Sequence, residues 1–250
     1  MTAWRSLLTG FVVAAALLAA LPLRAAGDGL DGLVAGSPDA GIYGSNHLAG
    51  LPDKAVLVFD YTFEGTLLDK PFSDNVLLDF TRRSGGAGAS AGPNAGEGAG
   101  EGDRGFDVAA TLFPQTRKLE IGPLSAARVN PILLIFFQRD ATQMSNGTGG
   151  NQNYFRNTIR RVLQTPDPDS LQATTIQLDG RDVAASAVDF RPFAKDPNRA
   201  RLREFADKNY HFVLSDDVPG GIYEVSTETP TADGNGTLLR ETYRFREMRQ

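Results

Sequence analysis

The sequence predicts an α+β domain built on a single antiparallel, strongly curved sheet of about eight strands, a half-barrel in its most curled form, with about three helices packed on it. Three observations carry this prediction. Two-residue alternation of apolar and polar side chains recurs in short segments throughout residues 54–250. Turn dipeptides or an insertion join those segments, with no repeated strand-helix-strand crossover. Helical periodicity is concentrated in the middle of the chain.

Ahead of that region, Arg5 precedes an apolar stretch from Leu7 to Leu23, which is followed, after Arg24, by the small residues Ala25 and Ala26. This is the order of a secretory signal peptide, with cleavage expected near residue 26. The rival is a retained anchor, because the stretch approaches the length that crosses a hydrocarbon core of about 30 Å; Pro22 and the alanines after it favour removal. Residues 27–53 are rich in Gly, Ala, Asp and Ser without period and read as an extended or poorly ordered lead-in.

The first strand covers 54–64, where Leu57, Phe59, Tyr61 and Phe63 alternate with Asp60, Thr62 and Glu64. A turn through Gly65 to Pro71 leads to a second, in which Val76, Leu78 and Phe80 share a face, and the two form a hairpin. Residues 84–105 are almost wholly Gly, Ala, Ser and Glu and read as a flexible insertion, since Phe106, Val108, Ala110 and Leu112 resume the strand period directly afterwards. Asn130 and Pro131 mark an N-cap and first helical residue before a buried helix over 132–144; a core strand through Ile132–Phe137 is its rival. A second helix places Phe155, Ile159, Val162 and Leu163 on one face and ends at Pro166 and Pro168. Strands at 171–178 and 182–190 flank the tight turn Asp179-Gly180. A short helix opens at Asp196-Pro197 and carries Leu202, Phe205 and Ala206, and strands at 209–214, 221–229 and 237–247 close the chain.

Composition narrows the function classes. Of 25 basic residues, Arg5 and Arg24 fall in the signal, leaving 23 against 30 acidic ones, a formal charge of −7 that argues against nucleic acid as partner. The absence of cysteine excludes disulfides, thiolate metal sites and a lipidated cysteine. After the signal no apolar run approaches membrane-spanning length, so the expected location is the periplasm.

Catalytic motifs match only in letter. Gly88-Ala89-Ser90-Ala91-Gly92 has the spacing of a nucleophile elbow but lies inside the Gly/Ala tract, without the strand before and helix after that strain such a serine. Gly100, Gly102 and Gly105 fit a dinucleotide fingerprint, but a strand follows where a helix is needed. His47 and His211 are the only histidines; His211 alternates with Tyr210 and Phe212 and points outward. The carboxylate pairs Asp167/Asp169 and Asp216/Asp217 sit in turns, where Asp bonds nearby backbone. The stretch from Asp233 to Thr237 lacks the later ligands of a calcium loop. No catalytic residue, metal site or cofactor follows.

Two sets of residues remain. Arg156, Arg160 and Arg161 on the second helix, with Arg199, Arg201 and Arg203 on the third, form a candidate anion patch, because guanidinium forks suit phosphates and carboxylates. Phe59, Tyr61, Phe63, Tyr243 and Phe245 make an aromatic sheet face that either fills an ordinary core or lines a hollow for a lipid or other apolar small molecule. The expectation is therefore an exported, non-enzymatic binding or accessory protein, whose partner is such a molecule or a periplasmic protein. The alternative is a periplasmic hydrolase using carboxylate and arginine groups, which needs a buried acid beside another titratable group in a cleft.

Overall fold

A computed structural model describes residues 47–48, 50–83, 105–164 and 170–250. The expected signal peptide, most of the lead-in, all of the Gly/Ala tract but Gly105, the Gly88–Gly92 motif, Gly100 and Gly102 of the second glycine motif, and the Asp167/Asp169 pair lie outside the described residues.

Nine strands are present among the described residues: β1 (Val56–Glu64), β2 (Phe72–Arg82), β3 (Phe106–Leu112), β4 (Leu119–Ala127), β5 (Leu171–Leu178), β6 (Arg181–Phe190), β7 (Asn209–Leu214), β8 (Ile222–Pro230) and β9 (Thr237–Arg249). They form one antiparallel sheet in the order β4-β3-β2-β1-β9-β8-β7-β6-β5. The topology is thus two meanders, β1–β4 and β5–β9, sewn together where the first strand pairs with the last. The sheet is curled but not closed, and β4 and β5 are its edges.

The count exceeds expectation by one strand, β4. Gly122 and Pro123 interrupt its middle, its side chains are half-buried or exposed, and its register with β3 shifts twice. Proline cannot donate to a ladder and is tolerated at an edge, where one side of the strand needs no partner. That leaves no clean alternation in the sequence.

Between the meanders lie α1 (Pro131–Thr148) and α2 (Gln152–Gln164), while α3 (Arg199–Leu202) and a 3-10 turn (Arg203–Asp207) precede β7. The Asn130 side chain accepts from the Ile132 amide at 3.1 Å, and its own amide group donates to the Gly220 carbonyl at 2.9 Å. One residue thus starts α1 and ties it to the β7–β8 turn. Gly149 closes the helix at φ 70°, a left-handed conformation that favours glycine. Phe136 of α1 meets the rings of Tyr210, Phe212 and Tyr243 at 6.3, 5.6 and 6.0 Å, which seats the helix across β7 and β9. The described end of the lead-in belongs to this packing: Leu48 and Leu51 are buried in the core, and the Asp53 carboxylate accepts from the Arg82 amide at 2.7 Å.

Two adjacent α1 residues carry charge into the core. Asp140 is fully buried and receives the Lys208 ammonium and, at 2.6 Å, the Tyr210 hydroxyl; Lys208 also donates to Gln143 at 2.7 Å. Arg139 donates to Glu241 at 3.0 Å and to the Tyr61 hydroxyl at 2.9 Å, while Tyr61 and Tyr243 each donate to the same Glu241 oxygen at 3.0 Å. Each buried charge therefore has an opposite charge and hydrogen bonds, the condition under which burial of ions is tolerated. Burial, the largest influence, holds the Tyr61, Tyr210 and Tyr243 hydroxyls well above the ordinary phenol range, and the neighbouring carboxylates add to it.

Candidate functional site

On the sheet face turned away from α1, the ladder register assembles a trough. Alternation puts Tyr61, Tyr243 and Val225 under the helix, so Asp60, Thr62 and Glu64 of β1 face outward with Arg240, Thr242 and Arg244 of β9 and Glu224, Ser226 and Glu228 of β8. Cross-strand pairing sorts them into three rows. The outer rows are Asp60–Arg244–Glu224 and Glu64–Arg240–Glu228; the middle row is Thr62–Thr242–Ser226, continued by His211 of β7 and Asp189 of β6.

Side-chain length makes the hollow. Three short hydroxyl residues form the floor, and long charged residues on either side form two walls. The walls stand four residues apart along each strand, roughly 13 Å at about 3.3 Å per residue. The hollow, open to solvent on its outer side, is about 530 Å³.

The walls are held internally. Arg244 Nε donates to Glu224 at 2.8 Å, Arg240 Nε to Glu228 at 3.2 Å, and the Arg240 guanidinium lies 3.6 Å from Glu64. Asp60 accepts from Asn75 at 2.8 Å and lies 3.4 Å from the Arg246 guanidinium. At the far end Asp189 meets Asn209 and His211 Nδ1, both at 3.0 Å. For Glu228, burial favours the protonated form, but the Thr237 hydroxyl and Arg240 outweigh it and hold the carboxyl below its usual range. Arg240 is raised, chiefly by its hydrogen bond to Glu228. For Arg244, burial works against the charge and Glu224 outweighs it, so the guanidinium is raised too. These three groups thus stay charged across the neutral range.

Five carboxylates line the trough against two guanidinium groups, each already committed to a glutamate. The surface can therefore accept hydrogen bonds from a cation at its walls and exchange them with a polar ligand at its floor. Among the described residues no group of three His, Asp or Glu side chains is arranged to hold a metal ion.

The residues singled out from sequence lie elsewhere. Phe59, Tyr61, Phe63, Tyr243 and Phe245 are core side chains, each 9 % exposed or less, and the Tyr61–Tyr243 and Phe59–Phe245 rings meet at 4.9 and 5.9 Å. In the arginine patch, Arg156 donates to Gln138 and Asn153, and burial with the nearby Arg160 lowers its pKa. Arg199 is closed onto Asp207 at 2.6 and 2.8 Å. Arg160, Arg161 and Arg203 also have partners, and Arg201 is exposed. Buried acids beside titratable groups do occur, but Asp140 and Glu241 are 0 % and 1 % exposed and serve as anchors beneath α1.

Sequence alternation identified the outward residues of β1 and His211 as polar positions. It could not identify the trough, because the rows exist only once β1, β9, β8, β7 and β6 are placed side by side in register.

No family model, curated protein or solved structure matches the chain. No helix among the described residues is long and apolar enough to cross a membrane.

Proposed function

We propose that this chain is an exported, periplasmic binding or accessory protein that acts without chemistry, and that the trough is its ligand surface. The observation that carries this is the hydroxyl floor between two acid-arginine-acid walls, a hollow of about 530 Å³ that falls in the size range of small-molecule sites. The excess of carboxylates selects a polar ligand bearing ammonium groups. An apolar ligand is not part of the proposal, because the aromatic side chains that would greet it are packed beneath α1. Export rests on the pattern of residues 1–26.

Calorimetric titration with spermidine, and with inorganic phosphate as the anionic counterpart, tests the proposal. Spermidine binds and weakens as salt is raised, since wall charges near solvent are screened; phosphate does not bind at the trough. Replacing Thr242 by Phe fills the floor and abolishes spermidine binding while the melting temperature stays near that of the wild type. Spermidine binding that survives Thr242→Phe, or no binding at low salt, rejects the trough as the ligand surface.

A further inference from the structure

The two edges of the sheet are finished differently. β4 carries the devices that discourage strand addition: Pro123 in its middle, two register shifts against β3, and the Lys118–Glu120 ion pair at its start. β5 carries none of them. Its eight residues, Leu171 to Leu178, include no charge and no proline, and they pair with β6 without a register shift. The first five, Leu171 to Thr175, are all exposed, and Leu171 is the large apolar side chain left most open among the described residues, at 60 %.

We infer that β5 is an interface at which two copies of this chain pair edge to edge, joining their sheets into one. An antiparallel pair of identical strands is related by a two-fold axis perpendicular to the sheet, so a residue on the axis faces its own copy. Like charges facing each other are destabilising, and an uncharged strand escapes that penalty at every register. An axis at Thr174 sets Thr174 against Thr174, a favourable pair, with Ala173 against Thr175 and Gln172 against Ile176 on either side. Two-fold pairing of this kind keeps like faces together, so both troughs open on the same side of the joined sheet. A contact about 26 Å long, made chiefly through backbone, belongs to the smaller, transient class of interfaces.

Sedimentation of the purified full chain over a concentration series tests this, with three variants. The wild type forms a dimer. Thr174→Lys and Thr174→Glu each weaken dimerisation at least about tenfold, because they set like charges across the axis, whereas a mixture of the two restores it. Ser125→Lys on the β4 edge changes nothing. Unaltered thermal melts establish that the variants are folded, and amide exchange at residues 172–177 slows as the concentration rises. A wild-type chain that remains monomeric overturns the inference and leaves the edge to a strand of another protein. A dimer that tolerates Thr174→Lys, or fails to recover in the mixture, overturns it as well.

Discussion

Replacing Lys208 by Met removes the cation from a sealed site and leaves the Asp140 carboxylate, 0 % exposed, with the Tyr210 hydroxyl as its one remaining side-chain partner among the described residues, while Gln143 loses its donor. Breaking a buried ion pair from one side costs about 3–5 kcal/mol, a large share of the 5–15 kcal/mol that stabilises a typical domain. At roughly 2–4 °C per kcal/mol for a domain of this size, the melting temperature falls by about 6–20 °C. Urea unfolding measures the loss as a lower midpoint at unchanged slope. Asp140→Leu alone should cost a similar amount. The double variant should recover about 3 kcal/mol or more of the summed losses, since a buried pair exchanged for apolar side chains is close to neutral. A Lys208→Met loss under about 1 kcal/mol, or simple additivity of the two changes, refutes the view that α1 is anchored by this pair.

Alkaline pH supplies a second test. Tyr61, Tyr210 and Tyr243 have folded pKa values raised above the unfolded value near 10, so their contribution to stability is complete below pH ~10 and is lost as pH rises through the folded values. Of six tyrosines, these three should ionise only as the domain unfolds, seen as phenolate absorbance coincident with loss of ellipticity; ionisation in the folded state refutes their burial against Glu241 and Asp140. Glu228 shifts the other way. Its depressed pKa gives stability above the unfolded value near 4.3 that is lost as pH falls through the folded one, so Glu228→Gln should be less stable than wild type at pH 7 and should converge with it as pH falls through the folded value. The difference is small because the pair is partly exposed. Asn130→Ala removes the α1 cap and strands the Gly220 carbonyl, costing about 2 kcal/mol in urea unfolding, whereas Asn130→Asp keeps the capping acceptor and loses less.

Much of the fold was legible in the chain because one face of the sheet is apolar and the other polar. Alternation from Leu57 to Glu64, over 106–112 and along Tyr243 to Arg246 marks β1, β3 and β9, and Asn130-Pro131 marks the start of α1. What escaped has physical causes. β4 is an edge strand whose pairing tolerates Gly122 and Pro123, so no alternation survives to reveal it. Arg139 and Asp140 look like the polar end of the run Ile132–Phe137, yet each finds its counter-charge some 70 to 100 residues away in sequence. A signal for one did exist: Glu241 falls in phase with Leu239, Tyr243 and Phe245, an acid on the buried side of β9 that demands a cation. The trough left no such signal, since each of its residues is an ordinary outward-facing polar position. Its shape comes from the pairing of β1 with β9, which brings strands about 180 residues apart into contact.

The most direct test of the proposed function is to follow backbone amide shifts while spermidine is added to the isotopically labelled protein. Shifts concentrated at Thr62, Thr242, Ser226 and His211, saturating with spermidine and diminished by added salt, are the result expected of a ligand seated on the hydroxyl floor. Shifts confined to α2 and α3, or none at all, would contradict the assignment of the trough as a binding surface.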